Sequence, residues 1–413
     1  MIACYTAGMP GLSAPQPVTA RRSRFKRAAP SPLRLTNDDL VILRHIAKHR
    51  FLRSTHLARL LPHRSYKKLL QRLGELYHNG FVDRPRAQLD YYAIAGSAPI
   101  VYALGNRGAL ALAEHDGMDR SHVDWTWKNR SVGRLFIEHT LLTADVMVAA
   151  KCTLLTRPDV LLVDARQILA AVPDSTRAAA NPFKLQTRTT HEGKLIDASV
   201  IPDAVFGLDF THLRKRKYFF LEADRATMPI VRADFGQTSY ARKLLGYLAG
   251  GGKSNVFGTH FGIGNFRVLT VTTSVERTAS MIDALKRLTG GTGSHQFLFL
   301  DRATLRGSID LLSVEWITGT AHSPTLCADN KEASSQKNGA SGRERYSAAL
   351  LRRGRFKHSL PAAFTDKTAL LVALAPRPQV LPLCDRYPPD FFDLVIVAAA
   401  VKHSVQDRGP SRR

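Results

Sequence analysis

The sequence predicts an α+β protein in which a mainly helical N-terminal unit precedes a mixed sheet flanked by helices. Apolar residues at helical spacing dominate residues 36–115, whereas short apolar runs alternate with amphipathic segments over 132–317. A chain of 413 residues is also longer than one hydrophobic core usually serves. We expect five regions: a disordered basic arm (1–35), a helical unit (36–115), a connection (116–131), an α/β unit (132–317) and a variable, partly disordered C-terminal region (318–413).

The chain is strongly basic, with 59 Lys and Arg against 34 Asp and Glu, a formal net charge of +25. A polyanion is the expected partner of such a chain, and nucleic acid is the first candidate. A membrane surface and solubility alone are the alternatives. Residues 1–35 contain six basic side chains and no acidic one, so this arm either settles on phosphates or is an unstructured leader.

The cysteines argue against a disulfide framework and a zinc knuckle. Cys4, Cys152, Cys327 and Cys384 lie far apart, and no two form a Cys-x-x-Cys pair. No apolar run approaches the roughly 20 residues of a membrane helix, and the N-terminus lacks the apolar core of a signal peptide. We therefore expect a cytoplasmic protein without a membrane segment.

Three helices open the first unit. N-cap chemistry at Thr36 begins a helix that should run to His49, and Ser54 should cap a second that ends at Leu61. A third should run from Ser65 to Asn79, where Gly80 is a good C-cap residue. Its spacing predicts a core face and an outward face: Tyr66, Leu69, Leu70, Leu73, Leu76 and Tyr77 inward, and Lys67, Lys68, Gln71 and Arg72 outward.

Two strands and a further helix complete this unit. Phe81–Arg86 and Pro99–Leu104 are the expected strands, and Asn106–His115 is the expected helix. This order is typical of a winged helix-turn-helix domain, whose third helix enters the major groove of DNA while the wing contacts phosphates, here through Arg84 and Arg86. Residues 36–115 carry twelve Lys and Arg against six Asp and Glu, which suits that interpretation. The alternative is a winged helix used for protein contacts.

The second unit should begin with a long helix, Val132–Leu155, whose inward stripe includes His139. The stripe is formed by Leu135, Leu142, Val146 and Ala149. Strands and helices should follow. The expected strands are Val160–Val163, Ala198–Leu208, Lys217–Ala223, Phe266–Thr272 and Gln296–Leu300. The expected helices are Ser239–Ala249, between the third and fourth strands, and Val275–Leu288, between the fourth and fifth. The result is a mixed α/β unit.

Three carboxylates could converge on this sheet. Glu222 and Asp224 share a face of one strand because they are two residues apart, and Asp203 should lie across from them on the neighbouring strand. Three carboxylates suit Mg²⁺ or Mn²⁺, which can activate water and stabilise charge on a phosphodiester. The alternative is an ion-pair network in which Asp224 pairs with Arg225 or Arg242. His139 either points at the carboxylates or is an ordinary core histidine.

Several segments together resemble the replication-relaxation family, which is linked to plasmid replication and plasmid DNA relaxation. They are LTNDDLVILRHIAKHRFLRSTHLARLL, YALGNRGA, EHTLLTADVMVA with His139, the pair PDA and FFLEADR, and ARKLLGYL with Lys243. The resemblance spans roughly residues 36–300. It implies a DNA-binding protein of a plasmid or other mobile element, with double-stranded DNA and a replication or mobilisation protein as partners.

The second unit is also similar to the PD-(D/E)xK fold of restriction-endonuclease-like proteins. The similarity assigns Asp203 and Glu222 to that fold's acidic motif positions, but Asp224 stands where the fold has its catalytic lysine. Lys243 or Arg225 would then have to restore the missing positive charge. The family resemblance implies that the protein assists replication initiation or DNA relaxation. Two alternatives to this role remain: a metal-dependent endonuclease or nickase, and a transcriptional regulator with a non-catalytic second domain.

Overall fold

The computed structural model describes residues 24–91, 98–117, 124–251, 255–308 and 310–320 of the chain. The predicted disordered arm over residues 1–23, part of the connection and the C-terminal region from residue 321 lie outside the described residues. Within them the protein is α+β, as predicted, with helices, antiparallel strand pairs and one mixed sheet. No helix among these residues is long and apolar enough to cross a bilayer.

The N-terminal unit packs four helices around a small antiparallel sheet with strand order β1-β3-β2. Its elements are α1 (Asn37–His49), β1 (Leu52–Arg53), α2 (Ser54–Leu60), α3 (Tyr66–His78), β2 (Val82–Asp83), a 3-10 helix (Arg86–Tyr91), β3 (Val101–Leu104) and α4 (Asn106–Asp116). Thr36 begins α1 through a capping box with Asp39, and Ser65 caps α3. Ser54 was predicted to cap α2 but is its first residue, and Arg53 is the N-cap.

Residues 24–35 lie against the N-terminal unit, so the prediction of a disordered arm is wrong for this part. The Tyr77 hydroxyl donates to the Phe25 carbonyl at 2.7 Å, and the Ala28 amide donates to His78 Nδ1 at 3.0 Å. Leu33 and Leu35 also pack on the core of the unit. Ordering this segment costs conformational entropy, and its composition alone suggested that too few contacts would offset that cost. The observed apolar contacts and hydrogen bonds offset it.

The described part of the connection is docked on the N-terminal unit through α5 (Trp125–Ser131). Trp125 is buried and lies against the Arg50 guanidinium, 4.8 Å from its ring centre, whereas Trp127 is exposed. The Asn129 amide donates to Asp83 Oδ2 and to the Leu104 carbonyl, both at 2.8 Å. The connection is therefore part of the folded structure.

The long helix α6 (Arg134–Leu154) serves two cores. Ile137 and Leu141 pack with Phe51 and Val101 of the N-terminal unit, while the predicted inward residues Leu142, Val146 and Ala149 pack on the large sheet. Leu135, also predicted to face inward, is exposed because the buried side of the first turn is formed by its neighbours Phe136 and Ile137. The two units thus share this helix.

The large sheet has the strand order β11-β10-β9-β8-β7-β4. Its strands are β4 (Val160–Val163), β7 (Ala204–Phe210), β8 (Lys215–Ala223), β9 (Phe266–Thr272), β10 (Phe297–Asp301) and β11 (Ile317–Thr318). Strands β8, β9 and β10 run parallel, and the other neighbours are antiparallel. Helix α6 covers one face; α9 (Tyr240–Gly250) and α11 (Val275–Leu288) cover the other.

The predicted strand Ala198–Leu208 is two strands in different sheets. Strand β6 (Lys194–Val200) pairs with β5 (Leu185–His191), which the sequence did not predict, and β7 begins only at Ala204. Pro202 lies in the break and has no N–H to donate to a ladder. The remaining short helices in the described residues are α7 (Ala165–Ala170), α8 (Asp174–Arg177), a 3-10 helix (Thr211–Leu213), α10 (Val256–Phe261) and α12 (Arg302–Gly307).

Candidate functional site

Asp203 and Glu222 face each other at one end of the large sheet. Ala204 pairs with Leu221 across antiparallel strands β7 and β8, and the Asp203 amide donates to the Leu221 carbonyl at 2.8 Å. Asp203 therefore lies opposite Glu222, as the sequence predicted. Side chains at directly opposite positions of two paired strands are close enough to interact.

Glu222 is 2% exposed, and helix α9 supplies partners for both of its oxygens. Lys243 Nζ lies 2.5 Å from Glu222 Oε2, and the Tyr247 hydroxyl donates to Oε1 at 2.8 Å. Lys243 and Tyr247 are four residues apart, so they project from the same side of α9. Burial raises the pKa of Tyr247 well above its usual value, and the adjacent Glu222 charge raises it further, which keeps the hydroxyl a donor.

Asp203 is held by a different element, the long helix α6. His139 Nε2 lies 3.1 Å from Asp203 Oδ1, and the Ala223 amide donates to Oδ2 at 2.8 Å. His139 therefore points at the carboxylates rather than only filling the core. We call Asp203, Glu222, His139, Lys243 and Tyr247 the sheet-end cluster.

Asp224 is occupied elsewhere. Arg277 of α11 binds it in a bidentate manner through one edge of its guanidinium, with Nε 2.5 Å from Oδ2 and Nη2 2.9 Å from Oδ1. The Thr272 hydroxyl donates to Oδ2 at 2.6 Å. The expected alternative to a metal, an ion pair at Asp224, is thus present, but with Arg277 rather than Arg225 or Arg242.

The two arginines considered for Asp224 have other partners. Arg225 Nη1 donates to Glu138 Oε2 at 3.1 Å, next to His139 on α6. Arg242 donates to the Asp197 carbonyl at 2.5 Å and to the loop before α9. Lys243 and Arg225 were the two candidates to supply the positive charge that Asp224 lacks in the lysine position of the nuclease fold. Lys243 contacts Glu222, whereas Arg225 pairs with Glu138.

The predicted three-carboxylate ligand set is not brought together. Within the described ranges, no group of three or more His, Cys, Asp and Glu side chains is placed so as to hold a metal ion. The carboxylates available to a metal ion at the sheet end are Asp203 and Glu222, and each already accepts a hydrogen bond from an amide or a cation. Both oxygens of Asp224 are bonded by Arg277, and Thr272 also donates to one of them. The pair fits a divalent cation only if Lys243 gives way at Glu222.

The second region of interest is the exposed face of α3. Lys67, Lys68 and Gln71 are exposed, as predicted. Tyr66 and Leu70, predicted to be core residues, are 44% and 38% exposed because they lie on the border of the buried stripe. We call Tyr66, Lys67, Lys68, Leu70 and Gln71 the α3 face.

The other predicted DNA-contacting residues differ in their surroundings. Arg72 does not project outward: its guanidinium binds Asp39 at 2.6 Å and Glu75 at 2.8 Å, joining α3 to α1. Arg84 stacks on the Tyr77 ring and donates to the Arg24 carbonyl at 2.6 Å. Arg86 is exposed at the start of the 3-10 helix.

Sequence reasoning missed Arg277 and Tyr247. Arg277 follows the N-cap Ser274 by three residues and lies 53 positions from Asp224, and nothing in the local pattern links the two. Tyr247 had a signal that was not used, since it follows Lys243 by one helical turn in the segment ARKLLGYL.

Comparison with known proteins identifies the family. The replication-relaxation family model matches residues 43–254, about half of the chain, and the chain belongs to this family. The match includes the α3 face and the sheet-end cluster. No curated protein and no solved structure matches the chain.

Proposed function

We propose that the chain is a DNA-binding protein of a plasmid or another mobile element, and that it assists replication initiation or DNA relaxation. Membership of the replication-relaxation family supports the general role. Double-stranded DNA is the proposed partner, together with a replication or mobilisation protein of the same element. The net charge of +25 supports association with a polyanion.

We assign DNA binding to the N-terminal unit, residues 36–115, as a winged helix. Its order of three helices, a strand, a second strand and a helix is that of the motif, and α3 stands in the position of the groove-reading helix. The two strands β2 and β3 are joined through the 3-10 helix that carries Arg86, in the position of the wing.

The observation that carries the proposal is the charge on the α3 face. Lys67 and Lys68 are both exposed and have no ion-pair partner among the described residues. Arg72 and Arg84 are engaged within the unit, so they position α3 and the wing instead of meeting phosphates directly. Two exposed cations beside Gln71 form a surface suited to phosphate contacts and base-edge contacts.

This assignment is tested by the salt dependence of duplex binding. Replacing both Lys67 and Lys68 by Ala should flatten the slope of log K against log salt concentration by about 0.9 for each phosphate that is no longer neutralised. The matched control replaces Lys184 and Lys194, two exposed lysines of the β5–β6 region, by Ala. An equal slope for the two double variants would remove the α3 face from the DNA interface.

The second candidate function is a metal-dependent endonuclease or nickase, in residues 132–317. The order α6, β4, β7, β8, α9, β9 agrees with the helix-strand-strand-strand-helix-strand nucleus implied by the nuclease resemblance. The observation favouring catalysis is Lys243, which lies against Glu222 although Asp224 stands in the usual lysine position. Once Lys243 had moved away from Glu222 Oε2, Asp203 and Glu222 would hold Mg²⁺ or Mn²⁺, and the metal would activate water and stabilise phosphodiester charge.

Nicking of supercoiled plasmid separates the two candidates. Metal-dependent nicking by the wild type that disappears in Glu222→Gln but persists in Asp197→Asn would establish the endonuclease. Asp197 is an exposed carboxylate whose side chain pairs with Arg188 and is not a member of the sheet-end cluster. Duplex binding without nicking by the wild type favours the accessory DNA-binding role.

A further inference from the structure

A cluster of arginines surrounds one buried carboxylate where the N-terminal unit meets α6. Arg53 Nη1 lies 2.5 Å and His56 Nε2 lies 2.6 Å from Asp145 Oδ1. Arg302 and Arg306 of α12 approach the other oxygen, with Nη2 atoms at 3.7 Å and 4.0 Å. We call Arg53, Arg302 and Arg306 the arginine cluster.

Positive charge exceeds negative charge in this cluster. Three guanidinium groups face the single carboxylate Asp145, and burial lowers the pKa of His56, which favours its neutral form. The next acid that acts on Arg302 is Glu138, which already accepts from Arg225 and Arg134. Like charges held this close are costly unless an anion joins them.

Hydrogen-bonding capacity is also left over. Arg302 Nε and Asp145 Oδ2 are both buried and have no hydrogen-bond partner among the described residues. Arg302 and Arg306 Nη2 stand 3.7 Å and 4.0 Å from Asp145 Oδ2, too far to bond it, and the N–H donors of these two guanidinium groups outnumber this one acceptor. Burial lowers the pKa of Arg302, and the charge of Arg306 lowers it further. Guanidinium groups bind phosphate oxygens through paired N–H donors, so the excess donors and charge suit a phosphate group.

The cluster adjoins the α3 face. Ser54, which follows Arg53, forms a hydrogen bond of 3.0 Å between its hydroxyl and that of Tyr66. Tyr66 is the first residue of α3 and precedes Lys67. This hydrogen bond links the first residue of α3 to the residue that follows Arg53 of the arginine cluster.

We propose that Arg53, Arg302 and Arg306 bind the phosphodiester backbone of duplex DNA where it extends from the α3 face towards the second unit. This inference rests on the proposed DNA-binding function and extends it. Asp145 positions the cluster by holding Arg53, and α12 of the second unit contributes the other two arginines. Both units then share one DNA interface, with α6 as the common support.

The test measures duplex affinity as a function of salt for Arg306→Gln and Arg302→Gln. Arg306 has a half-exposed side chain and the longest distance to Asp145, so we expect its replacement to leave the fold intact. Arg188→Gln is the matched control, because Arg188 is an exposed arginine that is also paired with one aspartate. Thermal unfolding verifies that Arg302→Gln, which is more buried, remains folded.

Each arginine variant should reduce the salt slope by about 0.9 and weaken binding severalfold at moderate salt, while the control keeps the wild-type slope. Slopes equal to that of Arg188→Gln for both variants, with duplex binding retained, would overturn the arginine cluster as a phosphate site but leave the proposed function standing. Failure of the wild type to bind any duplex at low salt would overturn both.

Discussion

At the residue scale, Glu222 shows how a buried acidic side chain is accommodated. Both of its oxygens are bonded from one helix, by Lys243 and Tyr247, and its exposed fraction is 2%. Removing one partner of a buried pair leaves an uncompensated charge, whereas removing both leaves a smaller penalty. This asymmetry gives a stability prediction for the sheet-end cluster.

We expect Lys243→Met to lower the free energy of unfolding by about 3–5 kcal/mol, because Glu222 would lose its cation. The double variant Lys243→Met with Glu222→Gln should recover part of that loss. Urea unfolding of the wild type, both single variants and the double variant provides the cycle. Additive effects of the two changes would contradict a direct pairing.

Asp145 gives a pH prediction. Burial alone would raise the pKa of this carboxyl, but the His56 hydrogen bond and the charges of Arg53 and Arg302 lower it from 3.8 to about 2. A carboxyl with a lowered folded-state pKa stabilises the fold above its unfolded pKa, and this contribution disappears as pH falls through the folded value. The relevant window is therefore from about pH 4 to pH 2.

Asp145→Asn should be less stable than the wild type at neutral pH, and the difference should shrink as pH falls through this window. The unfolding free energy of both proteins, measured by urea titration at several pH values, tests this. The other carboxyls titrate in both proteins and cancel in the comparison. A difference that stays constant down to pH 2 would show that Asp145 does not carry the effect.

At the element scale, α4 approaches the α3–β2 turn unusually closely. A Cβ added at Gly108 would overlap the Phe81 carbonyl oxygen, and one added at Gly105 would overlap that of Gly80. Both glycines lie in the segment YALGNRGA, so their lack of a side chain is required by packing. A backbone carbonyl in a turn cannot move aside as the tip of a flexible side chain can.

Gly108→Ala should therefore destabilise the N-terminal unit by about 1–3 kcal/mol, despite the better helix propensity of alanine. Thermal unfolding measures the change. Gly264→Ala is the control, since nothing lies within 4 Å of its added Cβ and its φ is not in the left-handed region. Equal unfolding temperatures for the two variants would contradict the claim that close packing of α4 requires glycine at position 108.

The sequence predicted elements well where local signals agreed. The N-cap chemistry at Thr36, the helix start at Ser65 and the apolar stripe of α3 predicted the bounds of α1 and α3 to within a residue or two. It failed where the outcome depends on tertiary pairing. The hairpin β5–β6 alternates too weakly to be recognised as strands, and the break at Pro202 was hidden inside an apolar run.

The same distinction applies to the candidate site. Asp203 opposite Glu222 follows from strand alternation, and Lys243 was considered because it lies in the next helix. The capture of Asp224 by Arg277 depends on how α11 lies against the sheet, which no local pattern encodes. Arg72 resembled a free cation in the sequence, but its partner Asp39 is 33 residues away.

At the scale of the whole molecule, α6 links the two units. It packs on the N-terminal core through Ile137 and Leu141, carries His139 to the sheet-end cluster and holds Asp145 within the arginine cluster. The domain boundary at residue 132 that the sequence predicted therefore separates this helix from its packing partners Phe51 and Val101 in the N-terminal unit. The proposed DNA interface runs along this shared support.

The most direct test of the central claim is site-specific photocrosslinking of the α3 face to duplex DNA. Leu70 is replaced by the photoreactive residue p-benzoylphenylalanine, and Leu195, an exposed leucine of β6, is replaced in the same way as the control. We predict a crosslink to DNA from position 70 and none from position 195. A crosslink from position 195 alone, or from neither position while the duplex stays bound, would contradict the account.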